Sequence, residues 1–256
     1  MAIIDEYAGF LVDLDGVVLL GEDFLPGATE ALAALSARGL PFAFVTNNPR
    51  LAPGEHAELL RAGGVEVEDG QVVTAASALV DLTREELGPG ARVIATGTDS
   101  FLSQLREAGF EVLALDDWPE AEAVLVSGHE DFTYAEIRAA AMAARAGAPL
   151  LATGRDPTMP MPDGPWPGTG ALLAAIETAA GVEGQVTGKP APAIFRTALA
   201  VIGDARPAAM IGDRYDTDIR GAAEVGLDGI LVGTGRNTYP GEPPRHRIDG
   251  LVNILD

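Results

Sequence analysis

The chain contains no cysteine, which rules out disulfides, thiolate metal centres and a cysteine nucleophile. Lysine is almost as scarce: of 17 basic residues all are arginine except Lys189. Codon bias in a GC-rich genome explains the trend, and the abundant Ala, Gly and Pro with it. It does not explain the survivor, because an exposed position accepts arginine. Lys189 therefore marks a slot that wants a compact ammonium rather than a planar fork. Long apolar runs are missing as well. None reaches the ~18 residues of a membrane span, and MAIIDEYAGF lacks the basic and apolar segments of a signal peptide. A cytoplasmic location is the expectation. Positive charge is short overall, with a net charge of -21, so nucleic acid and anionic membranes are excluded as partners of the general surface. Histidine offers little: His56, His129 and His246 are scattered, without metal-ligand spacing.

What is present, over 256 residues, is room for one large domain or two modest ones. Short apolar runs alternate with helical patterns, which predicts βαβ units on a parallel sheet. GFLVD, PFAFVTN and QVVT read as strands. TEALAALSARG reads as a helix with Thr29 as N-cap, and APGEHAELLRAGG and ASALVDLTREEL as further helices. A second series runs from about Gly90: strands ARVIATG, EAVLVSG and PLLATG, with helices DSFLSQLREAG and YAEIRAAAMAARAG. RDPTMPMPDGPWPG reads as a Pro-rich loop with a stiff connector at Met159–Pro162, and RNTYPGEPPRHR as an irregular loop. Gly168-Thr169-Gly170 lacks the third glycine and the preceding strand of a dinucleotide loop.

Four segments carry chemistry. Asp13-Leu14-Asp15-Gly16 ends the first strand, where two carboxylates can enter the crevice at the carboxyl edge of a parallel sheet. An Asp-rich turn would look the same. Thr46-Asn47-Asn48 follows another strand and offers a hydroxyl and backbone N–H groups to phosphoryl oxygens, though Thr and Asn are ordinary loop residues. Gly188-Lys189-Pro190 places the lone lysine at a helix entrance. Asp213, Asp216 and Asp218 fall within six residues after the strand AAMI, a hard-oxygen set suited to magnesium. Such an ion is electrostatically necessary. A carboxylate about 3.5 Å from a phosphate charge is repelled by ~5 kcal/mol at an effective dielectric of 20.

The ordered set, Asp-x-Asp, Thr-Asn, lone Lys and Gly-Asp-x4-Asp, resembles the haloacid dehalogenase superfamily, in particular its phosphatases with a large α/β cap. DLDGVVLLG, VTNN, TGKPAP and GDRYDTDI carry the likeness over nearly the whole chain. It implies a doubly wound, Rossmann-like parallel-sheet core at 1–88 and 182–256, with an inserted α/β cap at 89–181 that excludes water from a small phosphorylated metabolite. It also implies that Asp13 attacks phosphorus and becomes an aspartyl phosphate, and that Asp15 acts as acid and then base. Thr46 and Asn47 would hold phosphoryl oxygens, and Lys189 would orient Asp13 and phosphate. Mg2+ would bind Asp13, the Asp15 carbonyl and Asp213, supported by Asp218. Asp216 falls on a variable position. Cap-mediated homodimers occur among such proteins.

Two departures stand out. A cap loop that often reads Thr-Asn-Pro-Asp is here Thr153-Gly154-Arg155-Asp156, and Pro49 stands where Ser is common. Gly154, Arg155 and Asp156 are substrate-contact candidates. Arg155 either binds a polar substrate tail or is a solvated loop residue. A phosphomutase, a dehalogenase and a phospho-accepting signalling module are the rival readings. The last predicts a shorter, uncapped chain.

Overall fold

The computed structural model describes residues 2–21, 23–161, 163–233 and 239–256. Pro162 and the first residues of the RNTYPGEPPRHR reading lie outside them. The chain forms two compact units. One comprises Met1–Thr46, Pro53–Val73 and Lys189–Asp256, the other Asn47–Ala52 and Thr74–Gly188.

The first unit is built on a sheet ordered His246–Ile248, Asp228–Val232, Ala208–Gly212, Gly9–Asp13, Phe42–Thr46, Val72–Thr74. The central strands are unbroken apolar runs, as strands covered on both faces must be, and Gly9–Asp13 is buried throughout. This strand pairs in parallel with Ala208–Gly212 on one side and Phe42–Thr46 on the other. In register, Asp13 lies opposite Val45 and Val12 opposite Ile211. The carboxyl end of the strand thus sits between Thr46 and the residues that follow Gly212. The next strands in the chain, Phe42–Thr46 and Val72–Thr74, run to one side of it and the last three to the other, so it is the topological switch point where open α/β sheets bind ligands. Phe10, Val12, Phe44, Leu32, Leu35 and Leu60 centre the core.

The second unit has its own parallel sheet, ordered Gln185–Val186, Leu150–Ala152, Ala123–Val126, Arg92–Thr96, Glu111–Val112. The helix Tyr134–Arg145 buries Ala139, Ala140, Ala143 and Ala144, and these small side chains let Leu173 and Ile176 of Thr169–Ala180 pack closely. The chain is therefore an α/β protein with parallel sheets. Among the described residues no helix is long and apolar enough to cross a membrane.

Several expectations change. Thr29 is not an N-cap: the helix Ala28–Ala37 begins one residue earlier, from Gly27, whose φ of 74° only glycine adopts cheaply. The Pro-rich loop and its connector are an antiparallel hairpin, Thr158–Met161 with Gly164–Pro167. Its prolines are tolerated because the two strands form a sheet of their own with no inner strand. The later loop reading ends in an edge strand, His246–Ile248. The helix Ala75–Leu87, placed at sequence level in the first core segment, contributes Ala76, Leu79 and Val80 to a cluster with Val93, Phe101 and Leu105, and so groups with the second unit.

Candidate active site

Lys189 reaches the carboxyl edge of the first unit's sheet from the segment preceding the helix Pro192–Val201. Its Nζ lies 2.7 Å from Asp13 Oδ1 and 2.8 Å from Asp218 Oδ1, and donates to the Val45 carbonyl at 3.1 Å. Three oxygens lie within 3.1 Å of Nζ on a side chain that is 3% exposed, an enclosure that suits a compact ammonium better than a planar guanidinium. Burial works to lower the lysine's pKa, but the charges of Asp13 and Asp218 outweigh it and hold the group above its ordinary value.

Asp13 is equally buried. Its Oδ1 takes both Lys189 and the backbone N–H of Leu14, at 2.8 Å. Burial pushes its pKa up to about 8; Lys189 opposes the shift, and the neighbouring Asp218 and Asp213 reinforce it. Asp218 is fully enclosed in a wide helical turn, Tyr215–Ile219, with Oδ2 accepting the Arg214 N–H at 2.9 Å. Its side chain packs on Gly212 where a Cβ would collide with it. Asp213 is exposed, yet burial of its carboxyl and the charge of Asp218 raise its pKa. Its carboxylate rests against Gly16, at φ +84°, in the space a side chain would fill.

Asp15 is exposed, and its Oδ2 accepts the Thr46 hydroxyl over a long 3.4 Å. Asp13, Asp15, Thr46, Lys189, Asp213 and Asp218 therefore gather in the first unit. Asn47 belongs to the second, where its Oδ1 lies against Gly188, within 2.8 Å of where a Cβ would stand. Gly154, Arg155 and Asp156 also belong to the second unit. Arg155 is engaged there: it donates to Glu177 Oε1 and Oε2 at 2.8 and 3.1 Å and to the Gly184 carbonyl at 2.6 Å. Asp156 accepts the Gly170 N–H through its carbonyl at 2.9 Å. The sequence reading passed over Gly16 as a support for Asp213 and the Arg214 N–H as a support for Asp218. The first was visible as the glycine closing the Asp-x-Asp-Gly run, whereas the second had no signal.

A divalent cation fits. Candidate oxygens of Asp13, Asp213 and Asp218 lie within 4.8 Å of one another, comparable with the ~4.2 Å across an octahedral magnesium shell. Three carboxyl groups gather around one ammonium; burial raises the pKa of Asp13 and Asp213, and the mutual repulsion that raises it further is what a bound cation would relieve. Oxygen-only donors favour magnesium or calcium over softer metals.

Comparison with known proteins agrees. The model of the haloacid dehalogenase-like hydrolases matches residues 10–111, and a HAD-hydrolase-like model matches 186–254. An acid sugar phosphatase of Staphylococcus aureus is 36% identical over 91% of this chain and 89% of its own length. The chain belongs to the haloacid dehalogenase-like hydrolases. A second relative of this hydrolase, the D-glycerol 3-phosphate phosphatase of Mycobacterium tuberculosis, is 39% identical over 93% of the chain, which spans 66% of that relative's length. The crystal structure of a glycerol phosphate phosphatase from the same organism, in complex with magnesium, superposes with a TM-score of 0.87 at 36% identity. That match covers 99% of this hydrolase and 78% of the other chain.

Proposed function

We propose that this hydrolase cleaves the phosphate monoester of a small polyol or sugar through an aspartyl phosphate on Asp13. It is a phosphoric monoester hydrolase with magnesium as cofactor. The observation that carries the reading is the buried Asp13–Lys189–Asp218 chain with Asp213 beside it. The polyol or sugar class rests on the two relatives named for glycerol phosphate and acid sugar phosphates.

Asp13, Asp213 and the Asp15 carbonyl hold the ion, and Asp218 supports them. Bound there, magnesium offsets carboxylate charge and polarises a phosphoryl oxygen. Both contacts found on Asp13 fall on Oδ1, so Oδ2 is the oxygen assigned to attack phosphorus. As the Oδ2–P bond forms, the ester P–O bond breaks, and Asp15 gives its proton to the departing alkoxide. Asp15 then takes a proton from water attacking the same phosphorus, which releases phosphate and restores Asp13. Exposure of Asp15 suits a group that trades protons with solvent-derived species. The Thr46 hydroxyl, the Asn47 amide and Lys189 hold the phosphoryl oxygens. Gly154 and Asp156 line the substrate loop, while Arg155, held by Glu177 and Gly184, shapes it. A cytoplasmic location and a homodimer, expected from the sequence, belong to the same proposal; sedimentation tests the second.

The test is a phosphate-release screen over glycerol phosphates, sugar phosphates, phosphoglycolate, nucleoside monophosphates and pyridoxal phosphate, with and without magnesium. The Asp13→Asn variant serves as blank. Release from polyol or sugar esters that needs both magnesium and Asp13 is expected. Turnover unchanged in Asp13→Asn removes the mechanism.

A further inference from the structure

Tyr215 opens the turn that carries Asp218 and stands two residues after Asp213, yet nothing in the proposed chemistry uses it. Its ring stacks on Tyr239, with centroids 4.6 Å apart and planes 28° from parallel. Its hydroxyl donates to the Glu242 carbonyl at 2.7 Å, and Gly241 lies so close that a Cβ there would stand 2.8 Å from the same oxygen. The acidic segment follows the strand Ala208–Gly212, and Tyr239–Glu242 follows the neighbouring strand Asp228–Val232. Two adjacent loops at the carboxyl edge of one sheet are thus pinned together through one side chain.

We infer that Tyr215 is a positioning residue for the metal site, clasping the Asp213–Asp218 segment against Tyr239–Glu242 so that both carboxylates stand ready before the ion arrives. This rests on the assignment of Asp213 to magnesium. The physical reason is entropic. Four residues separate Asp213 from Asp218, and Asp218 itself sits inside the wide-pitched turn Tyr215–Ile219, a geometry rarely used beyond a single turn. The far end is anchored where Asp218 packs under Gly212 and bonds the Arg214 N–H. Tyr215 anchors the near end, and an aromatic stack combined with a hydrogen bond restrains both rotation and translation of that end. Loosening it obliges the ion to order the loop on binding, which weakens affinity but leaves the filled site intact.

The experiment titrates magnesium into metal-free enzyme by calorimetry, for wild type, Tyr215→Phe, Tyr215→Ala, Tyr239→Ala and Asp213→Asn. Turnover is then measured as a function of magnesium. Tyr215→Phe, which keeps the stack and loses only the hydroxyl bond, is expected to bind magnesium about fivefold more weakly. Both alanine variants should lose about tenfold or more. For all three, kcat at saturating magnesium should stay within roughly twofold of wild type, a split between metal affinity and turnover that general destabilisation would not produce. Unchanged magnesium affinity in Tyr215→Phe and Tyr239→Ala, with or without a lower melting temperature in EDTA, overturns the inference. Undiminished binding in Asp213→Asn instead strikes the metal assignment beneath it.

Discussion

The Nζ of Lys189 lies 2.8 Å from Asp218 Oδ1, and the Asp218 side chain has no exposed surface at all. A charge so placed tolerates its surroundings only while its partner is present. Removing one member of a buried pair leaves the other desolvated and uncompensated. Lys189→Met is therefore expected to lower unfolding stability by roughly 3 kcal/mol at neutral pH. It should also abolish phosphate release. Urea denaturation in EDTA reads the first effect. Lys189→Arg should not rescue activity, because the fork is too wide for a slot shared by Asp13, Asp218 and the Val45 carbonyl.

The pH dependence has a definite sign. Asp13 titrates at about 8 in the metal-free fold, against an ordinary value of 3.8, so the folded state binds its proton more tightly than the unfolded chain does. The stability this provides is complete below about pH 4 and drains away as pH rises toward 8. Denaturation in EDTA between pH 5 and 9 should show that decline, and Asp13→Asn should flatten it. Magnesium requires the ionised carboxylate, so binding at pH 7 should expel close to one proton. Calorimetry in buffers of differing ionisation heat measures this, and an absence of proton release contradicts it.

Asp213 offers a cleaner separation of binding from folding. It is exposed, yet burial of its carboxyl and then the charge of Asp218 raise its pKa, so its ionised form is disfavoured by its own neighbourhood in the absence of metal. Asp213→Asn should weaken magnesium binding at least tenfold while leaving the melting temperature in EDTA equal to wild type or slightly higher. Differential scanning fluorimetry with and without magnesium distinguishes the two effects.

Gly16 should tolerate no side chain. Its φ of +84° costs an L-residue about 1 kcal/mol or more, and the new methyl would occupy the place of the Asp213 carboxylate. Gly16→Ala is expected to lose magnesium affinity along with stability. Asp213→Asn combined with Gly16→Ala should bind no worse than Asp213→Asn alone, since both act on one ligand.

Arg155 supports its own loop. Its fork is divided between Glu177 and the Gly184 carbonyl. Arg155→Ala should cost about 1 kcal/mol of stability, the scale of a partly exposed pair. The ranking of substrates by kcat/KM should stay as it was. A ranking that changes by tenfold between polar and apolar esters would return Arg155 to the role of tail binder.

The fold was legible where local and global physics agree. GFLV and PFAFV are apolar without interruption because both faces of their strands are covered, and they read as strands directly. The hairpin Thr158–Met161 with Gly164–Pro167 was hidden by its prolines, which say loop unless a pairing partner is known. His246–Ile248 carries a single buried apolar residue, too little to raise a signal. The grouping of Ala75–Leu87 depends on Val93, Phe101 and Leu105, all distant in sequence. In the site, Asp13 and Asp213 announced themselves by standing at strand ends. The meeting of Lys189 with Asp13 came from the family resemblance, since 176 positions separate them and no periodicity spans that interval. Tyr215 lies inside GDRYDTDI, but its stacking on Tyr239 had no signal in the sequence, and the second unit's Arg155 meets Glu177 only once the helix Thr169–Ala180, which carries Glu177, has formed.

One further property follows from the lone lysine and its enclosure. With the ε-amine protonated and sealed among carboxylates, acylating reagents meet no reactive side-chain nitrogen of that type on the folded surface. Succinimidyl esters applied near neutral pH should leave Lys189 of the folded protein unmodified. Acylation of Lys189 would therefore report directly that the catalytic interior has opened.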